Sequence, residues 1–143
     1  YHFTLPNHNT IIRAIHAAID DAGLVSDDIQ YVNAHGTSTP KGDATEIKCL
    51  RTVFGQRLPK IPISSNKSQL GHTLGASAAI EAALGIEAMR LGLLLPTINH
   101  IPDPEFSDID VVPNAVRRQC YEFFLSNAFG FGGTNCCVVF KGV

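Results

Sequence analysis

Charge is scarce in this sequence, and neither sign dominates. Asp, Glu, Lys and Arg make up 17% of its 143 residues, and the net charge is -2. That balance gives no global attraction for nucleic acid or an anionic membrane surface. No apolar run approaches the roughly 20 residues that span a bilayer. The first residues have neither the basic start nor the apolar segment of a signal peptide. The four cysteines, Cys49, Cys120, Cys136 and Cys137, form no C-x-x-C pattern, and no histidine stands at zinc-ligand spacing from them. Adjacent strand residues point to opposite faces, so Cys136 and Cys137 are not expected to share an ion. Each cysteine is expected inside a helix or strand as a reduced, small hydrophobe, and no metal site is expected. Reduced thiols fit the cytoplasm or an organelle matrix.

Hydrophobic residues make up 45% of the chain, enough for one domain with a real core. Tyr1 to Pro6 read as the tail of a strand or loop. Ile11, Ile12, Ile15, Ala18, Ile19 and Ala22 recur at helical spacing, which predicts a helix over about Thr10 to Ala22, capped by Asn7 or Asn9 and ended by Gly23. Ile29 to Asn33 reads as a short buried strand. A second helix is expected from near Asp43 to Phe54, with Asp43 and Glu46 at the spacing of an acidic capping box. Ile61 to Ser64 is the next strand, and a third helix runs from about Gly75 to Leu91. Its first turns carry almost no bulk, which suits close packing. Ile109 to Val112, Tyr121 to Asn127 and Cys136 to Lys141 complete the strands. The order is α-β-α-β-α followed by β, an α/β layer architecture with a mixed sheet and packed helices. The chain opens on a helix where a βαβ unit needs a strand. It is therefore expected to lack its first strand, and with it a partner half.

Two loops concentrate chemistry where a strand hands over to a helix. Ala34-His35-Gly36-Thr37-Ser38-Thr39-Pro40 carries a histidine beside hydroxyls. Ser64-Ser65-Asn66-Lys67-Ser68-Gln69-Leu70-Gly71-His72 carries a lysine and a second histidine. The pattern predicts that His35 and His72 meet and act as a pair. A third turn, Ala128-Phe129-Gly130-Phe131-Gly132-Gly133-Thr134-Asn135, is rich in glycine. No helix follows it and it holds no lysine, so it fits neither a P-loop nor a dinucleotide fingerprint. Read from residue type alone, Lys67 is equally a solvated loop lysine, and Glu81 a helix-surface charge. Thr37 and Thr39 then satisfy loop backbone, and Phe131 belongs to the core.

With these segments placed, the chain resembles the C-terminal half of a β-ketoacyl-acyl-carrier-protein synthase of the elongating, histidine-histidine class. The motifs NAHGTSTPKGD (Asn33 to Asp43), SSNKSQLGH (Ser64 to His72) and NAFGFGGTN (Asn127 to Asn135) carry the resemblance. It implies a thiolase-like fold over residues 1–143 and a decarboxylative Claisen condensation of an acyl thioester with malonyl on acyl carrier protein, in fatty acid elongation. His35 and His72 would stabilise the enolate, and Lys67 would lie near His72, paired with Glu81. Thr37 and Thr39 would meet the pantetheine amides. The backbone N–H of Phe131 would serve an oxyanion hole, its ring would gate the acyl pocket, and Phe129 would support that turn. No metal or diffusible cofactor is implied, since the substrates ride on phosphopantetheine. The implied partners are acyl carrier protein, the N-terminal half and a second copy in a homodimer. The family's nucleophilic cysteine belongs to its N-terminal half, and none of the four cysteines here stands in a matching motif. The alternative is a non-catalytic, chain-length-setting subunit of a polyketide synthase.

Overall fold

The computed structural model describes residues 7–142. The expected strand tail over Tyr1 to Pro6 lies outside the described residues. Helix α1 spans His8–Asp21 and buries Ile11, Ile15 and Ile19. Asn7 caps it, its side chain accepting from the Thr10 N–H at 3.3 Å. Gly23 follows at φ 68°, the left-handed value a helix stop of this kind requires.

Strand β1 is Tyr31–Asn33, and helix α2 runs Pro40–Phe54. The helix starts three residues before Asp43 because Pro40 takes its first position, where a missing N–H costs nothing. Thr39 is therefore the N-cap residue, and Asp43 with Glu46 forms no capping box. Strand β2 is Ile63–Ser64. A single helical turn, α3, follows at Lys67–Leu70, inside the stretch expected as loop. The third expected helix is a 3-10 turn at Leu74–Ala76 and then α4, Ser77–Arg90. Strand β3 is Leu93–Leu94 and pairs antiparallel with β4, Arg117–Arg118. Strands β5, Phe123–Phe129, and β6, Asn135–Lys141, close the chain.

Ile109 to Val112 forms no strand. Val112 sits at φ 48°, outside the extended region, and the Asp110 side chain takes its N–H at 3.1 Å. Cys120 lies between β4 and β5 and is exposed, not inside an element. Cys136 is exposed as well, whereas Cys49 is buried. Among the described residues no cluster of His, Cys, Asp or Glu is arranged to hold a metal, and no helix is long and apolar enough to cross a membrane.

The main sheet has the order β2-β1-β5-β6, with β1 parallel to both neighbours and β6 antiparallel to β5. Its register explains the layers. Val32 pairs with Leu125 and Leu125 with Val139, a row packed among the residues of α1 and α2. Tyr31 pairs with Phe124 and Phe124 with Phe140, a row that joins Leu94, Val112 and Met89 on the other side. Helix α4 covers that second face through Ser77, Glu81, Gly85 and Ala88, its buried stripe. Gly85 is where helix and sheet come closest: an added Cβ would stand 2.7 Å from the Phe124 ring. The close approach is thus in the middle of the helix, while Ala78 and Ala79 of its first turn are exposed.

Candidate active site

The two parallel strands β1 and β2 end side by side, so the loops that leave them emerge together. The two loops interlock. Ser65 Oγ donates to the Gly36 carbonyl at 2.7 Å, and Gly36 has φ 38° with no room for a Cβ, which would fall 2.6 Å from Ser65 Cβ. The outcome is the expected meeting of the histidines. The rings of His35 and His72 lie 5.7 Å apart, edge to face at 84°. Phe129, at the end of β5, packs on the other side of His35 at 5.4 Å.

Each histidine is held differently. His35 is fixed through its backbone: its N–H and that of Gly36 each donate to the Glu46 carboxylate at 2.9 Å. Glu46 is buried on α2 and also accepts from Asn127 Nδ2 at 3.0 Å. Burial pushes its carboxyl above the usual range, and the donors from Gly36, Asn127 and His35 pull the other way. The imidazole of His35 is lowered to about 4, first by burial, then by the charge of Lys67 and by His72. At neutral pH it is uncharged. His72 is fixed through its ring. The Leu74 N–H donates to Nδ1 at 3.1 Å, so Nδ1 is the acceptor and the ring proton sits on Nε2. Leu74 takes φ 52° to aim that N–H, a conformation that costs a non-glycine residue of order 1–3 kcal/mol.

Lys67 and Glu81 are a buried pair, Nζ to Oε1 2.6 Å. Neither is a surface charge. Glu81 reaches across from α4 and also accepts from Asn33 Nδ2 at 3.2 Å, while Asn33 donates to Ser126 Oγ at 3.0 Å. Asn33 and Ser126 are register partners on the α4 face of the sheet. Each face thus ends in a buried glutamate bound to a strand asparagine: Glu46 with Asn127, Glu81 with Asn33. The sequence alone assigns no role to these asparagines, Ser126 or Ser65, and its spacing places Glu46 in a capping box with Asp43 that the fold does not form. Their signal is present: a polar residue ends each apolar strand in Tyr31-Val32-Asn33 and Leu125-Ser126-Asn127.

A cavity of about 770 Å³ opens where the two loops meet and is lined by Thr37, Thr39, Lys67 and His72 but not by His35, with Phe106 and Val111 among its apolar residues. The Thr37 and Thr39 hydroxyls lie 3.2 Å apart. Phe131 is 67% exposed, so it is not core. Its turn is closed by the Gly130 N–H donating to the Thr134 carbonyl at 2.7 Å, with Gly132 and Gly133 at positive φ. Burial raises the Cys49 thiol to about 11 and the Cys137 thiol to about 12, so neither is a thiolate at neutral pH.

The family described as beta-ketoacyl synthase, C-terminal domain, matches residues 1–100. The chain is 44% identical over 144 aligned residues to 3-oxoacyl-[acyl-carrier-protein] synthase 2 of Staphylococcus aureus, covering 99% of this chain and 36% of that protein. A crystal structure of a beta-ketoacyl synthase from Burkholderia phymatum superposes with a TM-score of 0.92 at 42% identity, over 99% of this chain and 34% of that one. A type II polyketide ketosynthase solved with its acyl carrier protein gives 0.93 at 33% identity, over 100% of this chain and 36% of that one. The chain spans about a third of the length of these relatives. The fold is the α/β, thiolase-like fold of ketosynthases, and the chain belongs to the β-ketoacyl synthase family, of which it carries the C-terminal domain.

Proposed function

We propose that this chain supplies the enolate-stabilising half of a 3-oxoacyl-acyl-carrier-protein synthase acting in fatty acid elongation. One observation carries the reading: two histidines from separate strand ends face each other at 5.7 Å beside a cavity, one ring neutral at pH 7 and the other held as its Nε2–H tautomer. In the reaction the bond between the malonyl carboxylate and its α-carbon breaks. Carbon dioxide leaves, and the electron pair moves onto the thioester as an enolate. The developing negative charge falls on the thioester oxygen, where imidazole N–H donors stabilise it without surrendering a proton. The enolate carbon then attacks the acyl thioester carbonyl, and the thiolate that carried the acyl group departs.

Burial keeps the His35 ring neutral, the positive charge of Lys67 adds to that effect, and Glu81 holds Lys67 in place. Thr37 and Thr39 offer hydroxyls to the amides of phosphopantetheine. The Phe131 N–H serves the oxyanion of acyl transfer, its ring gates the acyl pocket, and Phe129 braces both that turn and His35. The partners are acyl carrier protein, an N-terminal half bearing the nucleophilic cysteine, and a second copy in a homodimer. No diffusible cofactor or metal enters this scheme, and its compartment is the cytoplasm. The resemblance to a ketosynthase solved with its carrier protein supports the carrier as partner.

The test uses the full-length protein and malonyl-acyl carrier protein, with released carbon dioxide as readout. His35→Ala and His72→Ala are each expected to slow decarboxylation by about 10²–10³, the scale of one lost oxyanion donor. Full-rate decarboxylation by either variant would sink the reading.

A further inference from the structure

Ser77, the first residue of α4, places its hydroxyl 3.1 Å from His72 Nδ1, the ring nitrogen that also accepts from the Leu74 N–H. The hydroxyl itself accepts from the Thr73 N–H at 3.0 Å and lies 3.1 Å from Thr73 Oγ1. Ser77 is 6% exposed, so water does not compete freely for these bonds. A backbone N–H only donates, so the Thr73 N–H occupies an acceptor site of the Ser77 oxygen. Nδ1 has one in-plane lone pair, so a Ser77 hydroxyl that donates there shares it with the Leu74 N–H, and the Thr73 hydroxyl then donates to Ser77. The alternative, Ser77 donating to Thr73 Oγ1, leaves the Ser77 oxygen facing Nδ1 with no proton between two acceptors.

We propose that Ser77 is a positioning residue for the condensation: its hydroxyl donates to His72 Nδ1 and, beside the Leu74 N–H that keeps the ring proton on Nε2, sets the plane of the ring. This rests on the reading of His72 as an enolate donor. The helix makes the contact dependable. Ser77 shares the buried stripe of α4 with Glu81 and Gly85, so the contacts of Glu81 with Lys67 and Gly85 with Phe124 fix the hydroxyl in place. One helix thereby orients both Lys67 and His72. A single N–H donor leaves the ring free to pivot about one bond, whereas two donors from different backbone positions set its plane.

The experiment compares wild type, Ser77→Ala and Ser77→Thr of the full-length protein, each labelled with ¹⁵N-histidine. Two-bond proton–nitrogen correlations report the His72 tautomer, and malonyl-acyl carrier protein decarboxylation reports kcat and KM. The expected result is an Nε2–H ring in both wild type and Ser77→Ala, because the Leu74 N–H remains, with the Nδ1 resonance displaced in Ser77→Ala by loss of the hydroxyl donor. There kcat falls about fivefold to tenfold, the scale of one hydrogen bond, at unchanged KM. Ser77→Thr restores both. An unchanged Nδ1 resonance in Ser77→Ala overturns the proposal, whatever happens to kcat. A displaced Nδ1 resonance with full-rate decarboxylation upholds Ser77 as a residue that holds the ring and removes His72 from the chemistry, so the two ideas fail separately.

Discussion

Lys67 Nζ stands 2.6 Å from Glu81 Oε1 with the two side chains only 5% and 3% exposed. Two charges taken so far out of water are tolerable only together. Glu81→Ala or Lys67→Met alone is expected to lose about 3–5 kcal/mol of folding stability, because the remaining charge is stranded. Lys67→Met combined with Glu81→Leu is expected to lose less than the sum of the single losses. Denaturant midpoints of the four proteins measure this, and strict additivity would mean that the pair is not coupled.

His35 titrates far below its ordinary value of 6.5, near 4. The fold favours the neutral ring, so the stability it contributes is present above pH 6.5 and drains away as pH falls through 4. A proton-NMR titration is expected to show a midpoint near 4, and Lys67→Met is expected to move it upward by removing the second cause of the depression. A midpoint near 6.5 in wild type would contradict the burial described here.

Glu46 bears the opposite sign. Its carboxyl is raised by burial, so its contribution is full below the ordinary value of 4.5 and declines as pH rises through the folded value. Glu46→Gln replaces one acceptor oxygen by an amide that confronts the His35 or Gly36 N–H, donor against donor. The variant is expected to lose about 1–3 kcal/mol. Its deficit relative to wild type is expected to be largest below pH 4.5 and to shrink as pH climbs. Urea unfolding across a pH series reads both effects, and a deficit that grows with pH would reverse the assignment.

Gly85→Ala tests the contact between helix and sheet. The new methyl would fall 2.7 and 2.8 Å from two ring atoms of Phe124, a residue with no exposed surface. Overpacking of this kind costs about 1–3 kcal/mol. Phe124→Leu in the same chain is expected to recover part of the loss, as thermal unfolding would show. Full stability of Gly85→Ala alone would mean that α4 shifts freely on the sheet.

Local signals carried the parts of this molecule that local physics controls. Ile11, Ile15 and Ile19 at helical spacing and Gly23 after them marked α1, because burial and a left-handed stop are both properties of short windows. The two histidine loops were legible because each follows an apolar run that can only be a buried strand. Long-range partners were not legible. Glu46 lies three residues after Asp43, a spacing that reads as a cap, and its true partners His35, Gly36 and Asn127 depend on the packing of α2 against the sheet. Ile109 to Val112 is as apolar as a strand, yet Val112 at φ 48° turns it aside and β3 pairs with Arg117–Arg118 instead. The single turn of α3 was hidden by its length, since four residues are too few to show a period.

The contact between Ser65 and Gly36 has one more consequence. The Ser65 side chain seats on the Gly36 main chain where a larger residue has no room, so the two loops cannot slide past each other without losing that contact. A sequence change that enlarges residue 36 or trims Ser65 is therefore felt where the two loops meet, and not only at the position where it is made.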